Sequence, residues 1–418
     1  MISYADALQH LMDAAWPMPV ERVDVAHAEG RVLAEAVGSV QDLPPFDNSA
    51  MDGFALRADG VEIAAGSSFT VQGWQAAGDA AVQGGKGAWE IMTGAHMPAG
   101  LDSVVPVEQV EVLEAHLDRP LRIRLREAVR PGQHVRLRGQ DVAQGEVVLP
   151  QGTTLDVNAV TLLHALGITT VQVPRRPPVA VITTGKELVS DGAQALEPGQ
   201  IRDSNRPYLV RRLQQAGADV VWQGAVGDEP AMFLQALDQA TAAGARVLIS
   251  TGAVSQGRYD FIPDALRGRG ARIVFHKVAI RPGKPLLFAR LADGALYFGL
   301  PGNPISAAVG QRFFVEPVLR RMLAMVDEQA LQLPLQADLR KPPGLRVHLR
   351  AQVVADATGS LSVRVLAGQE SFRLKTQLHA NAWAIVDGAD DVVRAGTRVQ
   401  VRGLGHRDPV RLSMQEMS

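Results

Sequence analysis

The chain contains no cysteine. That excludes a disulfide framework, Cys-ligated zinc, iron–sulfur clusters and a thiol nucleophile. It also lacks a surplus of either charge. Lys and Arg number 42 against 44 Asp and Glu, which leaves −2 with His neutral. A strongly basic nucleic-acid binder is therefore not expected. No uninterrupted apolar stretch approaches the ~20 residues that a bilayer span requires. The opening MISYADALQHLMDAAW has neither the basic start nor the long apolar run of a signal peptide. These absences predict a cytoplasmic protein that engages neither nucleic acid nor membrane.

What is present describes a folded, multidomain chain. At roughly 100–200 residues per domain, 418 residues make two to four domains. Hydrophobic residues are 46% and charged residues 21%, enough apolar material for each domain to bury a core. The 40 glycines and 25 prolines are scattered, so they mark turns and loops rather than one linker.

The pattern along the chain changes three times. Ser3 and Asp6 have capping-box spacing, and Leu8, Leu11, Met12 and Ala15 follow at helical period. From about 46 to 140, SFTVQGW and LRIRLRE read as strands, with EVVLP just beyond. In LRIRLRE, Leu121, Ile123 and Leu125 should face a core and the three arginines water. NAVTLLHALGI reads as a helix stopped by Gly167, and the prolines of VQVPRRPPVAV mark a boundary. From Pro178, strand-like VAVIT, ADVVWQGAV, RVLIS, ARIVFHKVAI and ALYFGL alternate with helical segments, the last running from Asn303 through Arg321. That alternation predicts a mostly parallel α/β sheet. After about Asp327, RVHLRAQVVA, SLSVRVL, WAIVD and TRVQVRGL predict a small terminal β-barrel or sandwich.

Parallel sheets bind ligands beyond the carboxyl ends of their strands. The loops expected there carry ligand-type residues. TTGKEL contains Thr184, Gly185 and Glu187, and GDEP contains Asp228. STGAVSQGRYD contains Ser250, Thr251, Gly252, Ser255 and Asp260. Gly-rich turns and helix starts expose N–H groups to anions. Asp228 and Asp260 are hard oxygen donors of the kind Mg²⁺ takes beside water and phosphate. Asp228 also stands where it could cap the helix that begins at Glu229–Pro230.

Two further loops are rigid. KVAIRPGKP holds Lys277, Arg281 and Lys284 on a proline-bounded turn, so positive charge should be held in place before an anion arrives. GLPGNPISA joins a strand to a helix through Pro301, Gly302, Asn303 and Pro304, with Asn303 as the expected N-cap. FDNSAMDGFAL, with Asp52, and IMTGAHMP, with Thr93, read by themselves as ordinary polar turns.

In order, PPFDNSAMDGFAL, IMTGAHMPAG, RLRGQDV, TTGKEL, GQIRDSN, GDEP, STGAVSQGRYD, VAIRPGKP and GLPGNPISA resemble the molybdopterin molybdenumtransferase family, the bacterial relatives of gephyrin's C-terminal region. The resemblance runs over nearly the whole chain. It implies multidomain α/β plus β architecture. A hinge part would comprise 1–45 and 141–176, with a β-rich inserted domain at 46–140. A molybdopterin-binding-like α/β domain would cover 177–326 and a β-barrel 327–418.

The resemblance also implies a reaction: Mg²⁺-dependent insertion of molybdate into adenylylated molybdopterin, with release of AMP. Carried over by position, Glu187, Asp228 and Asp260 serve the nucleotide and metal site, with Asp228 and Asp260 on the metal. Lys277, Arg281 and Lys284 hold molybdate and phosphate. Thr184, Gly185, Ser204, Ser250, Gly252, Ser255, Pro301, Asn303, Pro304 and Ser371 line the substrate site, and Arg350 is a further candidate. Family members are homodimers, and Asp52 and Thr93 match the contribution of the other subunit. Other proteins of molybdenum cofactor biosynthesis are further partners the family allows. Lys186, Arg281 and Ala253 stand where many relatives carry Asp, Lys and Gly. Two alternatives remain at this point: a non-catalytic carrier or scaffold, and another nucleotide-processing enzyme on the same α/β domain.

Overall fold

The computed structural model describes residues 1–254 and 261–414. Ser255 and Asp260, both candidate site residues, lie outside the described residues. The centre is a six-stranded sheet in the order Asp219–Val226, Pro178–Thr184, Val247–Thr251, Leu296–Leu300, Leu287–Arg290, Arg272–His276. The first four strands run parallel, Leu287–Arg290 runs against them, and Arg272–His276, antiparallel to Leu287–Arg290, runs with them again. The sequence pattern misses Leu287–Arg290, because the apolar run behind Pro285 is too short to separate from its turn.

Helices cover both faces of this sheet. Val181, Ile249 and Phe298 face one core with Leu209 and Leu213, while Ala180, Leu248 and Tyr297 face the other with Phe233 and Leu237. Strands buried on both faces read as continuous apolar runs, which is why VAVIT and RVLIS were legible. Glycines in left-handed backbone close the helices at Gly167 and Gly217.

The N-terminal helix, Tyr4–Ala14, begins as its spacing predicts: Ser3 Oγ accepts the Asp6 amide at 3.0 Å. Although the sequence assigns it to the hinge part, its Ala7 and Leu11 pack into the α/β core beside Phe314 and Met322. The hinge proper is a ribbon in which Val20–Asp24 pairs antiparallel with Thr170–Pro174. The β-rich region between them forms its own six-stranded sheet around Phe54, Ile123 and Leu125. Leu121 departs from the expected alternation and is exposed, near the hairpin end of its strand.

The last region is built on the long strand Arg346–Ala355, which pairs with Ala382–Val386 on one side and Leu361–Val365 on the other. An isolated bridge from Leu335 to Val363 returns the outer strand to Leu361–Val365, so the sheet closes on itself as a small barrel. The chain passes between the α/β sheet and this barrel at Lys277, whose φ of 81° turns Ile280–Arg281 onto Arg346–Val347. The single strand expected from ARIVFHKVAI is therefore two, divided between sheets. The helix from Pro304 to Met322 contains a π-helical turn, Gln311–Val315.

Candidate active site

Four loops leave the carboxyl ends of the four parallel strands and surround one cavity of about 1110 Å³. Thr184, Lys186 and Glu187 come from the first, and Gly227, Asp228 and Glu229 from the second. Thr251, Gly252, Ala253 and Val254 come from the third, and Pro301, Gly302, Asn303 and Pro304 from the fourth. The convergence follows from parallel topology: strands running the same way release their loops on the same edge.

The loops are tied to each other. The Gly185 amide donates to the Val226 carbonyl at 3.0 Å, and the Gly252 amide to the Leu300 carbonyl at 3.1 Å. Thr184 Oγ1 donates to the Thr251 carbonyl at 3.1 Å. Gly252 has φ 91°, and a Cβ there would stand 2.6 Å from Thr184 Oγ1 and 2.7 Å from the Thr184 carbonyl oxygen. Only glycine fits that crossing. At Gly185 a Cβ would lie 2.6 Å from Oε1 of Glu187, so the carboxylate folds back over its own loop.

Asp228 does not cap the following helix. The N-cap is Glu229, which makes no side-chain cap bond. Asp228 Oδ2 accepts the Lys186 amide at 3.2 Å instead, joining the second loop to the first. Asn303 occupies the N-cap of the Pro304 helix, also without a side-chain cap bond. Its loop is held from elsewhere: Asn205 Nδ2 donates to the Gly302 carbonyl at 2.7 Å. Asp203 is buried, accepts from Thr183 Oγ1 at 2.8 Å and from the Arg206 amide at 3.1 Å, and fixes the start of the Asn205–Gln215 helix beside Ser204.

Several predicted residues stand elsewhere. Ser250 is fully buried and accepts from the Tyr297 hydroxyl inside the sheet, one residue short of the cavity. Burial holds that phenol well above its ordinary pKa. The cationic turn reaches the cavity wall through Pro285, while Lys277, Arg281 and Lys284 are not part of that wall. Lys277 is half-buried, and Arg281 and Lys284 are exposed. The cations in the wall are Lys186 and Arg202. Arg202 donates to the Asp191 carbonyl at 2.5 Å and to the Gln194 carbonyl.

The Ser371 carbonyl accepts the Ile305 amide at 2.9 Å, clamping the 370–373 loop onto the helix start at Pro304. Arg350 is buried beneath this loop. Its guanidinium bonds the carbonyls of Gly368 at 2.8 Å, Glu370 at 3.1 Å and Arg373, so it supports the loop rather than meeting a ligand. Phe372, 64% exposed, thereby enters the cavity wall. Sequence reasoning missed Phe372, Asp203 and Asn205. Only GQIRDSN, as a polar helix start, signals the last two.

Asp52 and Thr93 lie outside this cavity within one chain. Asp52 precedes the strand Gly53–Leu56, and Thr93 follows its antiparallel neighbour Ala88–Ile91. Asp52 Oδ1 accepts from the Thr93 amide at 2.6 Å and its hydroxyl at 2.9 Å. The amide bond foremost holds the Asp52 carboxyl below its ordinary range. The two turns are therefore one polar unit.

Residues 2–167 match the MoeA N-terminal region (domain I and II), 180–321 the probable molybdopterin binding domain and 332–404 the MoeA C-terminal region (domain IV). The molybdopterin molybdenumtransferase of Synechococcus elongatus is 38% identical over 413 residues, covering 97% of this chain and 100% of that protein. The chain belongs to the molybdopterin molybdenumtransferase family. It is a transferase of molybdenum cofactor biosynthesis. The Staphylococcus aureus molybdopterin molybdenumtransferase is 30% identical over 407 residues, 96% of this chain and 95% of that protein. The crystal structure of the molybdopterin biosynthesis MoeA protein from Pyrococcus horikoshii superimposes with TM-score 0.80 at 26% identity, covering 97% of this chain and 99% of that one. Matches on both flanks of the α/β domain set aside a different nucleotide-processing enzyme sharing that domain alone. Among the described residues no helix is long and apolar enough to cross a membrane.

Proposed function

We propose that this transferase inserts molybdate into adenylylated molybdopterin and releases AMP, with Mg²⁺ as its resident cation, in a cytoplasmic homodimer. The observation that carries the reading is the convergence of four strand-end loops, two of them glycine-pinned, on one cavity that also holds Glu187, Asp228 and Glu229. Backbone N–H groups and helix starts there suit a phosphorylated ligand. The hard oxygen donors beside them suit Mg²⁺, which takes one or two carboxylates and completes its shell from water and phosphate. Asp228 would hold the ion through the oxygen not engaged by Lys186, with Asp260 as the second expected donor. Bound there, the ion would offset charge on a phosphoryl oxygen.

The protein's own groups do the rest. The Thr184 and Gly252 loops hold the phosphate-bearing end. Lys186 stands in the wall to stabilise phosphoryl charge. Lys277, Arg281 and Lys284 receive the oxyanion beside Pro285, and Asp52 with Thr93 of the second subunit closes that side. The deciding experiment is single-turnover incubation with adenylylated molybdopterin, molybdate and Mg²⁺. Stoichiometric AMP is expected. Recovery of the substrate intact would instead make the protein a carrier.

A further inference from the structure

Phe372 is 64% exposed, yet the backbone on both sides of it is fixed. The fully buried Arg350 sends its guanidinium to the carbonyls of Gly368, Glu370 and Arg373. The Arg350 amide donates to Gln369 Oε1 at 3.1 Å, and Gln369 Nε2 donates to the Arg350 carbonyl at 2.9 Å. The Ser371 carbonyl takes the Ile305 amide of the helix that starts beside the cavity. Burying a guanidinium is costly, and here its bonds serve only to hold one loop. The position of Phe372 is thus set before any ligand arrives, which lowers the ordering cost of a contact made there.

The ring stands between two cavities. Phe372 lines the large one and a neighbouring one of about 480 Å³, and no other described residue lines both. Among the described residues it is the only Phe, Tyr or Trp in either wall. The Arg373 guanidinium lies over its ring, 5.8 Å from the centroid, and belongs to the wall of the smaller cavity alone. Arg373 is itself paired with Glu370 at 2.8 Å. One face of the ring therefore has a partner on the side of the smaller cavity.

The rest of the large cavity is built for charge, with Lys186, Arg202, Glu187 and Asp228 in its wall. A preset aromatic face, supplied by a different region of the chain, suits a different part of the same ligand: one that is flat and weakly hydrated on its faces. Aromatic rings prefer offset stacking, and a heterocycle gains from it whatever its edge pattern.

We propose that Phe372 is a binding residue that stacks on a heteroaromatic ring of the ligand whose phosphorylated end occupies the strand-end loops. The inference rests on the substrate proposed above, which carries two such rings, a pterin and an adenine. A flat face is the chemistry they share.

The test is anaerobic equilibrium dialysis of the full chain with molybdopterin and, separately, with AMP. Phe372→Leu keeps apolar bulk and removes the flat face. It should weaken one of the two probes by about 10-fold. Phe372→Trp restores a face and should bind within about twofold of wild type. Leu378→Ser removes a neighbouring exposed side chain that lines neither cavity, and it should change nothing. Weakened molybdopterin with AMP unchanged assigns the pterin, and the converse assigns the adenine. Unchanged affinities in Phe372→Leu, or a Trp variant as weak as the Leu one, overturn the stacking. Unchanged affinities together with an altered oligomeric mass would give the ring to a protein contact instead. Intact recovery of adenylylated molybdopterin by wild type would sink the proposed reaction alone, because dialysis reads the ring contact without turnover.

Discussion

The Lys186 amide donates to Oδ2 of Asp228 at 3.2 Å. A carboxylate at a helix start usually turns to its own helix. This one reaches across to the neighbouring loop, leaving its other oxygen for a ligand. Asp228 therefore has a loop-fixing role and a charge role, and substitution can separate them.

Asp228→Asn keeps an oxygen for the Lys186 amide and loses the charge. Asp228→Ala loses both. Single-turnover AMP release should fall by about 10²-fold or more in each. Near-wild-type release by the Asn variant would show that the charge is dispensable. Both should melt close to wild type, because Asp228 is only half-buried.

Gly252→Ala should destabilise the chain by about 1–3 kcal/mol, since it combines a left-handed φ with a Cβ pressed on the Thr184 backbone. Gly227→Ala is the matched control: its Cβ would meet only Met232 Sδ, at 3.6 Å. Urea denaturation of the two variants measures the contrast, and equal midpoints would contradict the crowding.

A site shared between subunits predicts complementation. Asp52→Ala and Asp228→Ala homodimers should each be inactive. After random subunit exchange, half the dimers are mixed and each regains one intact site. Activity should return to about a quarter of wild type. No recovery, with exchange verified by mass, would place Asp52 in the same subunit's site or in none.

His348 is fully buried, with neither ring nitrogen bonded, its ring tilted against Phe313 at 4.3 Å and near Tyr4 at 6.0 Å. Burial first, then Arg346, Arg312 and Arg402, holds its pKa well below the ordinary value. The unfolded chain therefore binds this proton more readily than the folded one. Its contribution to stability is complete above about pH 6.5 and declines as pH falls below it. His348→Phe should match wild type or exceed it at pH 7 and lose less stability on acidification. Denaturant midpoints from pH 7.5 to 5 test this. The remaining acid sensitivity includes His406, buried and lowered in the same direction.

Much of the α/β domain was legible because its order is local. VAVIT and RVLIS are continuous apolar runs, and Gly217 closes its helix within a few residues. The terminal barrel was legible as strands, but its closure through Leu335 and Val363 was not, since one bridge far apart in sequence leaves no periodic trace. The candidate site divides the same way. Glycine and proline announce the loops at Gly185, Gly252 and Pro301. Nothing local announces that Ser250 points into the sheet, or that Arg350 supports the loop carrying Phe372.

The sequence by itself determined the strand-end loops and the chemistry they carry, because backbone freedom at glycine, rigidity at proline and the donor types of Asp and Glu are properties of single residues. Only the tertiary structure decided which of those groups share a cavity. It set Lys186 and Arg202 in the wall, left the cationic turn at Pro285, and brought Phe372 from the terminal region to the same cavity. Those placements depend on how separately folded layers pack, which is a property of contacts and not of any one segment.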